Sequence, residues 1–166
     1  MMFWIQLIGV AAFIFLFISY FMKDKEGILV MQIISYLIFS IHYLMLGGFT
    51  GSLMEMVCAA SSFLNYKNIN NKKIYSIILS IVIILVGIIS FNHWYSIIPI
   101  ITCLITPLCL IYGNSKVIRF SGLIAAFGWG LYSFFVHSYA GVCSDIVLFI
   151  FIIISIYLRR KKWKIN

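Results

Sequence analysis

An all-helical membrane protein of seven spans is the fold class the sequence predicts, and three observations predict it. The chain of 166 residues is 64% hydrophobic and only 10% charged, against roughly half apolar and a quarter charged in a soluble domain. Its apolar residues come in continuous runs, which favours helices over a transmembrane barrel, whose strands alternate every second residue. Its twelve lysines and arginines fall between the runs and in alternate loops only. A span needs about 20 apolar residues, and the mean hydropathy is +1.12. Little chain is left over, and a soluble catalytic domain is excluded.

The elements follow in order. The first run, 3–22, lacks the basic flank of a secretory signal and is about twice the length of a signal's apolar region, so it reads as a retained first span. Lys23, Asp24, Lys25 and Glu26 separate it from the second run, 28–46. Gly47 and Gly48 make a tight, uncharged turn into 51–66, and Lys67, Lys72 and Lys73 precede the fourth run, 74–91. An uncharged link containing His93 and Trp94 leads to 95–112, and Lys116 and Arg119 open 118–136. A second uncharged turn near Gly141 leads to 142–158, followed by Arg159, Arg160, Lys161, Lys162 and Lys164.

Basic residues that flank spans stay in the cytoplasm. Seven spans with the N-terminus outside and the C-terminus cytoplasmic place all twelve there, whereas six or eight would break the alternation. The net charge of +8 is thus a record of orientation, not a nucleic-acid surface. The terminal basic run anchors the last helix to anionic lipid, at about 1 kcal/mol per charge. Trp4, Trp94 and Trp163 fall at span ends, where an aromatic belt belongs.

Sliding the chain on itself by 90 residues superposes the first three spans on the last three. Trp4 meets Trp94, Phe39 meets Trp129, Gly51 meets Gly141 and Glu55 meets Asp145. One polytopic domain, 1–166, therefore divides into a first repeat (3–66), a linker helix (74–91) and a second repeat (95–158). An odd linker keeps both repeats in the same orientation, which is the 3+1+3 plan of the SWEET transporters, with solute sites expected between the two bundles. Pro99 and Pro107 both lie in the fifth span and are candidate hinges, since a proline inside a helix removes a backbone bond.

Of four carboxylates, Asp24 and Glu26 sit in a loop, while Glu55 and Asp145 lie about one turn inside the membrane at matching repeat positions. A carboxylate there is costly unless paired, hydrated or protonated, so the two mark a cavity or a partner. His42 lies at similar depth, with Tyr132 as its repeat counterpart. A His42–Glu55 pair could serve as a structural tie, a solute clamp or a proton-coupling site. Tyr36, Phe39, Ser40 and Tyr43 share a helical stripe, and Trp129 and Ser133 flank Tyr132. Tyr36, Ser40, His42, Glu55, Trp129, Tyr132 and Asp145 are accordingly the candidate solute contacts, suited to a neutral polar solute such as a sugar or nucleoside; packing alone is the other reading of the stripe. Cys58, Cys103, Cys109 and Cys143 show no metal-ligand or redox spacing and read as small core residues. No triad order, zinc helix or phosphate loop occurs, so neither enzyme activity, metal nor cofactor is expected.

The stretch from Gln32 to Tyr36, the His42-x4-Gly47 element and its small-residue turn to Gly51, Ile97-Ile98-Pro99-Ile100, and the segment from Trp129 to Gly141 together resemble the YgjV-like family of bacterial inner-membrane proteins. The resemblance covers nearly the whole chain and implies a multi-pass protein of the bacterial inner membrane. A remoter similarity links that family to the SWEET and PQ-loop transporters, although the Pro-Gln dipeptide is absent here. The expected role is a small-solute transporter or facilitator, with a non-transporting binder, receptor or accessory subunit as the alternative. Expected partners are the lipid bilayer and a small polar solute, and not nucleic acid; self-association is also permitted.

Overall fold

Apolar runs separated by charge become helices because hydrocarbon leaves the backbone no hydrogen-bond partner but itself. The computed structural model describes residues 2–19, 21–22, 24–67, 71–112 and 115–163, with side chains except at 25, 106–112, 115–119, 155–156 and 158–163. Among these residues there are seven α-helices and no strand: α1 Met2–Ser19, α2 Lys25–Met45, α3 Phe49–Tyr66, α4 Lys72–Ser90, α5 Ile97–Tyr112, α6 Ser115–Phe135 and α7 Tyr139–Trp163. A short 3₁₀ turn, Trp94–Ser96, leads into α5. Lys23 lies outside the described residues.

The loop acids and amides have ordinary work. Asp24 caps α2 by accepting from the Gly27 N–H (2.6 Å), and Asn71 caps α4 by accepting from the Ile74 N–H (3.2 Å). Three helical stretches, Met2–Ser19, Glu26–Met45 and Lys72–Ser90, are long and apolar enough to cross a membrane, and shorter apolar stretches cover Trp94–Ile105, Phe120–Phe135 and Tyr139–Ile154. The less apolar α3 turns Thr50, Ser52, Glu55 and Ser62 inward, where they are buried.

The molecule is inverted relative to a soluble bundle. Ile78, Ile81, Leu85, Ile88 and Ile89 of α4 all face outward, while small hydroxyls such as Ser35, Ser76, Ser133 and Ser138 are buried. Lipid is as apolar as leucine, so helices associate here through small side chains and interhelical hydrogen bonds. Consecutive helices pack on one another. Two further packings close the arrangement: α1 packs on α7, and α3 packs on α5. Helix α4 is tied to α3 near both of its ends, by Thr50 Oγ1 donating to the Ser90 carbonyl (2.7 Å) and by Tyr75 Oη donating to the Ser61 carbonyl (3.1 Å).

The turns after α2 and α6 have the same construction. Gly48 N donates to Tyr43 O and Ser138 N to Ser133 O, both at 2.8 Å; Gly47 N donates to Leu44 O (3.0 Å) and His137 N to Phe134 O (3.2 Å). This is the double bond pattern of a left-handed helix stop. The residue in the left-handed conformation is Gly47 (φ 79°) in one turn and His137 (φ 57°) in the other. Each bond in one turn lies 90 residues from its counterpart in the other.

Two expectations need correction. Pro99 is the third residue of α5, in the first turn, where the backbone N–H has no partner inside the helix in any case; it breaks no bond of α5 and is no hinge by that route. Pro107 lies mid-helix, but its side chain is outside the described residues. Cys143 is exposed on α7 instead of buried in the core, because it falls on the outer face beside Ile146 and Val147. The side chains of Cys109 and Trp163 lie outside the described residues.

Candidate functional site

At the end of the bundle that carries the two uncharged turns, side chains bind α1–α3 to α5–α7. Gln6 on α1 donates to the His137 carbonyl (2.9 Å) and accepts from the Ala140 N–H (3.1 Å). His42 on α2 is fully buried. Its Nδ1 lies 2.8 Å from the Ile5 carbonyl, which can only accept, so Nδ1 carries the hydrogen. Its Nε2 is 2.7 Å from Ser138 Oγ, and that oxygen accepts from the Gly141 N–H (3.1 Å), so the serine hydroxyl donates to the ring. Tyr132 on α6 reaches the opposite way, its Oη accepting directly from the Gly51 N–H at 2.9 Å. A Cβ on Gly51 would fall on the Tyr132 ring; the close approach requires glycine.

One layer deeper, Tyr43 Oη is 2.8 Å from Ser133 Oγ, which donates in turn to Asp145 Oδ2 at 3.5 Å. Below this layer is a cavity of about 210 Å³. Every helix except α4 contributes to it, and the lining runs on toward the basic end as far as Leu16, Gly122 and Ile152. Glu55 from α3 and Asp145 from α7 both line it, 6% and 9% exposed. Among the described residues Glu55 Oε2 has no hydrogen-bond partner. Tyr36, Phe39 and Tyr43 from α2 and Trp129 from α6 form an aromatic wall, with the Tyr43 and Trp129 rings stacked at 5.8 Å and 26°.

Of the seven side chains expected to touch solute, Tyr36, Glu55, Trp129 and Asp145 line this one cavity. His42 and Tyr132 do not: they are ties between the helix groups, and the nitrogens of His42 bond Ile5 and Ser138, not Glu55. Ser40 turns away, with its Oγ 3.0 Å from Ser52 Oγ, and lines an outer groove between α2 and α3. Cys58 and Cys103, with Sγ atoms 3.9 Å apart, together with Thr102 and Ser144, complete the polar lining. Reading the sequence as a site did not find these four, since a lone thiol or hydroxyl in an apolar run carries no positional signal. Among the described residues no group of three His, Cys, Asp or Glu side chains is placed to hold a metal.

Chemically, the cavity offers carboxyl oxygens and aromatic side chains in a largely apolar lining. Two buried acids there must each be protonated, hydrated or paired with something positive that enters from outside. Apolar helices around a buried polar centre define an integral membrane protein. The chain belongs to the Imp-YgjV family of bacterial inner membrane proteins, whose model matches residues 3–162. No curated protein and no solved structure matches it.

Proposed function

We propose that the protein carries a small polar solute across the inner membrane through the cavity between α1–α3 and α5–α7. The carrying observation is that both intramembrane acids, from different helix groups, line one cavity that is closed at one end by hydrogen bonds between those groups. In this reading α4 is a linker between two parallel three-helix repeats. Support comes from the packing, in which α1–α2, α2–α3 and α1–α7 correspond to α5–α6, α6–α7 and α5–α3, and from the two turns of equal construction. The uncharged end faces outward and the basic end, with the C-terminus, faces the cytoplasm; the distribution of Lys and Arg supports this. Alternating access then consists of breaking the His42–Ser138, Tyr43–Ser133 and Tyr132–Gly51 ties while the groups close at the basic end.

Stabilisation screening of the purified protein, followed by counterflow in proteoliposomes, tests this. A solute whose flux is lost in Glu55→Gln, and stopped in wild type when a membrane-permeant oxidant bridges Cys58 on α3 to Cys103 on α5, is the expected result. Saturable binding with no flux would make the protein a binder and end the transport reading. Orientation is tested separately: a periplasm-dependent reporter fused after Asn166 is expected to be silent.

A further inference from the structure

We infer that the solute is a small organic cation of the ammonium or guanidinium type, an inference that rests on the cavity being a solute site. Four observations on the lining converge. First, among the described residues it holds Glu55 and Asp145 but no Lys, Arg or His. Both acids are more than nine-tenths buried, so either one, where ionised, needs a positive partner from outside and repels an anion. Second, Glu55 Oε2 has no hydrogen-bond partner among the described residues although it is buried. A carboxyl oxygen left in that state is costly, and a donor that arrives with the solute satisfies it.

Third, three of the lining's hydroxyl hydrogens are already committed. Thr102 donates to the Ile98 carbonyl (2.7 Å), Ser144 to the Gly141 carbonyl (2.7 Å), and Tyr43 bonds Ser133. These three hydroxyls therefore meet a solute as acceptors, which together with the carboxyl oxygens complement a donor-rich cation. Fourth, the aromatic side chains Tyr36, Phe39, Tyr43 and Trp129 line the cavity, and an aromatic ring attracts a cation lodged over its face. A metal cation would leave that wall without a role and would lack ligands, since among the described residues no three-ligand cluster exists. The cavity, at about 210 Å³, is smaller than the roughly 300–1,000 Å³ of sites for drug-sized ligands, so the cation has few heavy atoms.

The test uses the full-length protein in lipid nanodiscs, titrated with ethylammonium, methylguanidinium and tetramethylammonium, with tert-butanol and glycerol as neutral probes and potassium as a metal cation. At least one organic cation is expected to raise the unfolding temperature saturably, and its affinity to fall about tenfold or more in Glu55→Gln and less in Asp145→Asn, whose carboxyl has Ser133 as a partner. If Glu55→Gln does not fold, alkylation of the wild type decides: the organic cation is expected to slow modification of Cys58 in the cavity while leaving the exposed Cys143 unchanged. Stabilisation by the neutral probes alone, equal stabilisation by potassium, or no effect of any organic cation on stability or on Cys58 overturns the cation inference. The transport reading fails separately: a bound cation with no counterflow ends that reading and leaves the cation assignment standing, while counterflow of a neutral solute does the reverse.

Discussion

The turn after α2 and the turn after α6 have the same backbone and different chemistry. Gly47 occupies the left-handed position in one and His137 in the other. Tyr132 reaches the Gly51 N–H directly, whereas His42 reaches the Gly141 N–H only through Ser138. Equivalent backbone amides, at the start of α3 and of α7, are thus satisfied by two different devices: one by a side chain from across the molecule, the other by a local serine that a side chain from across the molecule holds. What has been kept is the position of the bond; the side chain that makes it has been exchanged. That is why the two regions show few identities when their sequences are superposed, although the two bonds that stop each helix superpose.

The comparison can be broken most forcefully at Gly51. Gly51→Ala would put a methyl group into the Tyr132 ring and is expected to destabilise by about 3 kcal/mol, read as a fall in unfolding temperature in one fixed detergent. Next in size, Ser138→Ala removes the relay and leaves both His42 Nε2 and the Gly141 N–H without partners, an expected loss of about 2–3 kcal/mol. Tyr132→Phe removes the direct bond and leaves one orphan amide, so it is expected to cost about 1–2 kcal/mol, less than the relay variant. If Tyr132→Phe costs more than Ser138→Ala, the two devices are not equivalent in the way described. The smallest effects belong to the turns: Gly47→Ala is expected to cost about 1 kcal/mol at its left-handed position, whereas His137→Gly relieves the same strain and is expected to stabilise by less than about 1 kcal/mol.

The span boundaries were legible in the sequence because water and hydrocarbon impose opposite demands on side chains. Lys72 and Ser90 bound α4 where the lysines end and the isoleucine run stops. Glu55 and Asp145 were legible for the same reason, since a carboxyl inside an apolar run is too costly to be incidental. The partners of His42 were not legible. One is a backbone carbonyl on α1 and the other a serine 96 residues away in a turn, and neither leaves a compositional trace. Ser40 misled because a stripe has two flanks. At about 100° per residue, Tyr36, Phe39 and Tyr43 cluster on the side toward the cavity, and Ser40 lies past the edge toward α3, where Ser52 meets it. Thr102, Cys58 and Cys103 went unseen because only the packing of α3 on α5 brings them to the same place.

Gln6 ties α1 to α7, and this has a consequence for the order in which the protein is made. Helix α1 leaves the ribosome first and α7 last of the seven, so both polar ends of the Gln6 amide wait for their partners until the final helix has entered the bilayer. His42 waits for Ser138 in the same way. A chain halted before Ser138 therefore holds two polar side chains in its early helices without their partners. Closure of α1 onto α7 thus waits for the seventh helix, and a chain that lacks it is marked, chemically, by its unmet amide and imidazole.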